Sequence, residues 1–200
     1  DENDYTVSDP KYILIKDGTA QLEAVNELVS PQDDFEGDLL NTRKWVIQNY
    51  DGASVVQSDG TVLQDIVADA NGGDAQLVHT GVFSGDFDIQ VNFNLISMPG
   101  TAAGSAATIS IIAPSSEPLL YGEVIMSRYR DNSNSIYRGG IFNGLVWDYS
   151  NFYSPDNSGI LRISRNGGTA TTYFWDSNLE QWTAQLSTAF PTTDVIVRLR

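Results

Sequence analysis

Hydrophobic and polar positions alternate with a period of two along much of the chain, which is the signature of half-buried β-strands. From Phe87 to Leu95 the residues Phe87, Ile89, Val91, Phe93 and Leu95 are apolar and those between them polar, so one face of this strand belongs to a core. The stretch SGILRISRNGGTATTYFWDSNLEQW, 158–182, shows the same pattern twice. Leu161 and Ile163 share one face and Arg162 and Ser164 the other. A tight turn over Arg165-Asn166-Gly167-Gly168 follows. On the return, Ala170, Thr172 and Phe174 oppose Thr169, Thr171, Tyr173 and Trp175.

Asp-Gly pairs at 17–18, 51–52 and 59–60 mark further hairpins, with strands predicted over 11–16, 19–25, 45–50, 54–57 and 61–67. Strands are also expected over 75–80, 108–113, 121–129, 135–142, 145–149 and 194–200, and the small-residue run 97–107 is expected to be a flexible connection. No helical periodicity competes with them. Short strands at this spacing predict an all-β fold, a two-sheet antiparallel β-sandwich.

A length of 200 residues suits one such domain. The chain carries 26 acids against 11 bases, a net charge of −15, which makes nucleic acid and anionic membranes poor partners, and no apolar run is long enough for membrane insertion. Cysteine is absent, so neither disulfides nor thiolate metal sites can form.

Three segments, DDFEGDLLNTRKW (33–45), GVFSGDFDIQVNFNL (81–95) and SGILRISRNGGTATTYFWD (158–176), resemble the landmarks of bacterial concanavalin A-like lectin/glucanase domains. The resemblance covers 33–200 and implies a jelly roll of two curved antiparallel sheets. It leaves residues 1–32 as an N-terminal extension containing the 11–25 hairpin.

Glucanases of this superfamily place their acids on one strand as Glu-x-Asp-x-Glu, so that alternation turns the carboxylates into one cleft. No such motif occurs here, and the seven glutamates are isolated. The only same-face acid pair is Asp86 with Asp88, expected on a solvated face. His79 is the only histidine and is expected on a surface strand, without a serine or cysteine nucleophile beside it. No catalytic residue is therefore assigned.

Sugar binding calls for rings and short polar side chains, and both are concentrated in 121–153. Trp147, Tyr149, Tyr153, Tyr137 and Tyr129 can present rings, while Arg128 and Arg130, with Arg138, Asn132, Asn134 and Asp148, offer hydrogen-bonding groups. Trp147 and Tyr149 share strand parity and are expected on an exposed face. Cross-strand packing accounts for the same residue types.

Two aspartate clusters, Asp33-Asp34-Glu36-Asp38 and Asp69-Asn71-Asp74, suit either solvated turns or calcium ligands, and neither matches an EF-hand. The resemblance implies a structural calcium near the domain opening, hence at the first cluster, and no other cofactor.

The expectation from sequence is an extracellular, non-catalytic module binding a glycan or cell-surface ligand in adhesion. The alternatives are a subunit of a surface filament built by strand addition and, more distantly, a glycan-cleaving enzyme. Strand 194–200 is expected to leave an open sheet edge, which the 11–25 hairpin would cover within its own chain or in a neighbouring copy.

Overall fold

The computed structural model describes residues 33, 35, 39–65, 73–96, 104–114 and 122–200. The 1–32 extension with its 11–25 hairpin lies outside the described residues, as do Asp34, Glu36, Asp38, Asp69 and Asn71. Among the described residues the chain is strand throughout, without helix.

The order is β1 (Trp45–Tyr50), β2 (Ser54–Ser58), β3 (Thr61–Asp65), β4 (Asp74–Phe83), β5 (Phe87–Asn94), β6 (Ser105–Ala113) and β7 (Gly122–Arg130). There follow β8 (Ser135–Phe142), β9 (Trp147–Tyr153), β10 (Ser158–Asn166), β11 (Thr169–Asp176), β12 (Gln181–Ala189) and β13 (Val195–Leu199).

The large sheet has seven strands in the order β1-β4-β13-β6-β7-β8-β9, and the small sheet four in the order β12-β11-β10-β5. The ribbon β2-β3 stands apart. All pairings are antiparallel. The chain leaves the large sheet after β4, returns at β6, leaves again after β9 and returns at β13, so the two sheets close over a common core. The expected all-β jelly-roll sandwich is the fold observed.

Alternation explains which residues fill that core. Leu77, Ile109, Ile111, Val124, Met126, Val195 and Val197 of the large sheet meet Phe87, Ile89, Leu161, Ile163, Ala170 and Phe174 of the small one. Each such large side chain contributes about 1.5–3 kcal/mol when fully removed from water. Tyr137 of β8 stacks on Phe174 of β11 with centroids 4.2 Å apart and planes 7° from parallel, which pins the two sheets together.

Both described Asp-Gly turns adopt the left-handed backbone that their sequence predicts, with φ of 52° and 80° at Asp51 and Gly52 and 50° and 69° at Asp59 and Gly60. Elsewhere the expected boundaries move. Asn166 pairs with Thr169, so the 167–168 turn is Gly-Gly alone. β9 starts at Trp147 rather than 145, and the small-residue run contributes Ser105, Ala106 and Ala107 to β6. β12 is an additional strand on β11.

The expected open edge at the C-terminal strand is not there. β13 pairs with β4 on one side and β6 on the other, and Arg200 exchanges backbone hydrogen bonds of 2.9 and 2.7 Å with Thr108. Alternation identifies a strand and its faces, but lateral position in a sheet is decided by non-local pairing.

Candidate functional site

Register brings four ranks of side chains together on the face of β7, β8 and β9 that points away from the small sheet. The ranks are Tyr129-Ile136-Tyr153, Ser127-Arg138-Asn151, Ile125-Gly140-Tyr149 and Glu123-Phe142-Trp147. The opposite parity, Val124, Met126 and Tyr137, lies in the core. Trp147, Tyr149 and Tyr153 are exposed at 37%, 43% and 73% of their surface.

These side chains touch in series. Phe142 and Trp147 have centroids 5.3 Å apart, and Trp147 and Tyr149 are 5.5 Å apart with planes within 4°. The Arg138 guanidinium carbon lies 4.9 Å from the Tyr149 centroid and 3.7 Å from that of Tyr129. The Tyr149 ring leans across β8 because residue 140 is glycine, where a Cβ would stand 2.7 Å from Tyr149 Cδ1. The Tyr129 ring end similarly occupies the space beside Gly104, whose φ is +81°. Burial raises the Tyr149 phenol above its ordinary range, so it is a neutral hydrogen-bonding group.

A polar network adjoins the row on the same sheet face. Arg198 of β13 ion-pairs with Glu123 of β7 and approaches Ser110 Oγ at 3.3 Å and Gln76 Oε1 at 3.5 Å. Gln76 Nε2 donates to Asp74 at 2.5 Å, and Arg200 Nε donates to the same carboxylate at 3.1 Å. At the far end, past Tyr153, Arg130, Ser133, Ser135, Ser154, Pro155 and Asn157 line an open hollow of about 520 Å³.

The structure therefore separates the candidates named from sequence. Trp147, Tyr149, Tyr153 and Tyr129 are gathered on one face, and Arg130 lies at the wall of the hollow. Tyr137 and Arg128 are not part of this surface: both are buried on the core side of their strands. Arg128 serves as a clamp, donating to the backbone carbonyls of Asp156, Tyr129, Ile136 and Ser154 at 2.7–3.0 Å and to Ser135 Oγ at 2.6 Å. Arg138 and the Glu123–Arg198 pair gain prominence instead. Parity with Trp147 and Tyr149 could not reveal them, because it says nothing across strands whose register is unknown.

Retaining glycoside hydrolysis needs two carboxyl groups about 5–5.5 Å apart. The strands of the large sheet place Glu123 and Asp74 on this face, each engaged by an arginine, and two residues along from Glu123 on β7 stand Ile125 and then Ser127. Asp86 and Asp88 are structural: Asp86 accepts the Gly167 amide at 2.6 Å, and Asp88 forms a two-point ion pair with Arg162.

His79 departs from its expected surface position. It is buried, edge-on to Trp45 with centroids 5.0 Å apart, and its Nδ1 accepts the Gly81 amide at 3.0 Å. Desolvation is the main cause that lowers its pKa.

Asp33, from the cluster considered for calcium, is buried with Oδ2 accepting Trp45 Nε1 at 2.7 Å and Oδ1 accepting the Phe35 amide at 2.9 Å. Both oxygens accept N–H donors, and the other members of the cluster, Asp34, Glu36 and Asp38, lie outside the described residues. Asp74 of the second cluster is shared between Gln76 and Arg200.

No protein-family model matches the chain, and no curated protein sequence does. Solved structures do. A putative β-glucanase from Mycobacterium abscessus superposes with a TM-score of 0.59 at 12% identity, over 84% of this chain and 85% of that one. A β-glucanase from Bacillus licheniformis gives 0.56 at 13%, over 83% and 82%. An immunostimulatory antigen and pseudo β-1,3-glucanase of Mycobacterium tuberculosis gives 0.57 at 12%, over 84% of each chain.

The fold is thus the two-sheet jelly-roll sandwich that these glucanases also adopt. These neighbours are named as glucanases, not as adhesion or filament proteins. That overturns the expectation of an adhesion module or filament subunit for which a glycan-cleaving enzyme is only a distant alternative.

Proposed function

We propose that this chain is a glucanase-fold protein that works on a glycan, holding it along the outer face of β7–β9 without cleaving it. The observation that carries the proposal is the unbroken series Phe142, Trp147, Tyr149, Arg138, Tyr129, in which exposed Trp147 and Tyr149 stand between half-buried Phe142 and Tyr129, flanked by the polar side chains of Asn151, Glu123 and Arg198. Rings supply apolar surface for the C–H faces of sugars, and the neighbouring amides and ions supply partners for hydroxyls.

Retaining cleavage needs two carboxyl groups facing each other across the bound sugar. Glu123 is engaged in an ion pair with Arg198, and its strand offers no second acid on that face. One neighbour of the same fold is itself described as a pseudo β-1,3-glucanase, so the fold is compatible with such a role.

The test is a panel of neutral and acidic polysaccharides, with affinity electrophoresis and reducing-end release measured on the same samples. Retardation by at least one polymer without release is expected. Retardation by none would overturn the glycan reading, and release abolished by Glu123→Gln would overturn the absence of cleavage.

A further inference from the structure

Resting on the glycan reading above, we infer that the ligand of this face is an anionic polysaccharide whose carboxylate or sulfate group is received by Arg138. The two sheets supply a matched comparison. On the outer face of the small sheet, Arg162 also lies over two rings, 5.0 Å from the Tyr173 centroid and 4.9 Å from that of Trp182. Arg162, however, is neutralised within the protein, its Nε donating to Asp88 Oδ1 at 2.7 Å and its NH2 group to the other oxygen.

Arg138 has the rings without the carboxylate. Its polar partner is the neutral Asn151, whose Oδ1 accepts from Nε at 3.2 Å, and among the described residues no acid stands within ion-pair distance. That bond engages Nε, so the terminal nitrogens can meet a planar or tetrahedral anion with two parallel bonds. In a chain with 26 acids and 11 bases, an arginine left without a counter-ion on an exposed ring row marks a place for an anion from outside.

A second cation lies at the end of β7, on the parity opposite to Tyr129. Arg130 borders the hollow beside Tyr153, and the adjacent Asp131 is turned into its own loop, where it accepts from the Ser133 and Asn134 amides at 2.7 and 2.6 Å. The net charge of −15 opposes a polyanion only at long range. Screening cuts that repulsion beyond about 8 Å at physiological ionic strength, whereas contact at Arg138 acts well inside this distance.

The test titrates the full chain and its Arg138→Met and Arg138→Lys variants with length-matched oligosaccharides of a neutral β-glucan, a polyuronate and a sulfated galactan. Wild type is expected to bind at least one acidic series about tenfold more tightly than the neutral one, the size of one charge-assisted contact. Which acidic series wins distinguishes carboxylate from sulfate. The acidic-to-neutral ratio is expected to collapse towards one in Arg138→Met and to be largely kept in Arg138→Lys. Equal binding of neutral and acidic series, or a preference that persists in Arg138→Met, overturns the inference while the glycan reading stands. Binding of none of the three overturns both.

Discussion

Arg138 of β8 holds its guanidinium 3.7 Å from the ring centroid of Tyr129 on β7 and 4.9 Å from that of Tyr149 on β9, so one cation ties together rings from the two strands that flank its own. Each such contact is worth about 0.5–1 kcal/mol at an exposed site. Arg138→Ala is therefore expected to lower stability by about 1–2 kcal/mol in urea unfolding. An unchanged midpoint would mean that the arrangement has no energetic coupling.

Gly140 sets the position of Tyr149. A Cβ there meets the ring at 2.7 and 2.8 Å and Ile125 Cγ1 at 3.0 Å, with little room for both to yield. Gly140→Ala should cost about 1–3 kcal/mol and weaken glycan binding by displacing the ring. Binding equal to wild type would show that the position of Tyr149 is irrelevant to the ligand.

Arg128 anchors the segment that follows β9. Arg128→Met removes donors from four carbonyls and the Ser135 hydroxyl at once, for an expected loss on the order of 3 kcal/mol. Hydrogen exchange should rise first in 153–157, next to the hollow. Exchange rising uniformly instead would contradict a local clamp.

His79 makes stability depend on pH in a defined direction. Its folded-state pKa is lowered below the ordinary 6.5, chiefly by desolvation, so the unfolded chain takes up the proton first on acidification. The contribution is fully present above pH 6.5 and is lost as pH falls from there through the folded-state pKa. Thermal melts of wild type and His79→Asn between pH 5 and 8 should show a steeper decline below about 6.5 in wild type. Parallel curves would contradict a neutral, buried imidazole.

Strand identity was legible because burial on one face enforces alternation, and the parity of Trp147 with Tyr149 places them correctly. The same rule could have found His79, which shares parity with Leu77 and Phe83 on a core strand. It failed for Tyr137, because Ile136 and Tyr137 are adjacent and both apolar, so either could face inward. Arg128 was hidden for a different reason: its burial depends on carbonyls as distant in sequence as Asp156. The central place of β13, the ion pair between Glu123 and Arg198 and the position of Arg138 over Tyr129 all follow from pairing between strands, which a single sequence does not encode locally.

The most direct measurement of the central claim compares calorimetric glycan binding by Trp147→Ala and Trp182→Ala, single ring deletions on the outer faces of the large and small sheets. Removing the apolar surface of one such ring from water on binding is worth roughly 1.5–3 kcal/mol. The account predicts that Trp147→Ala loses about tenfold or more in affinity while Trp182→Ala binds as wild type does. Loss confined to Trp182→Ala, or equal loss in both, would contradict it.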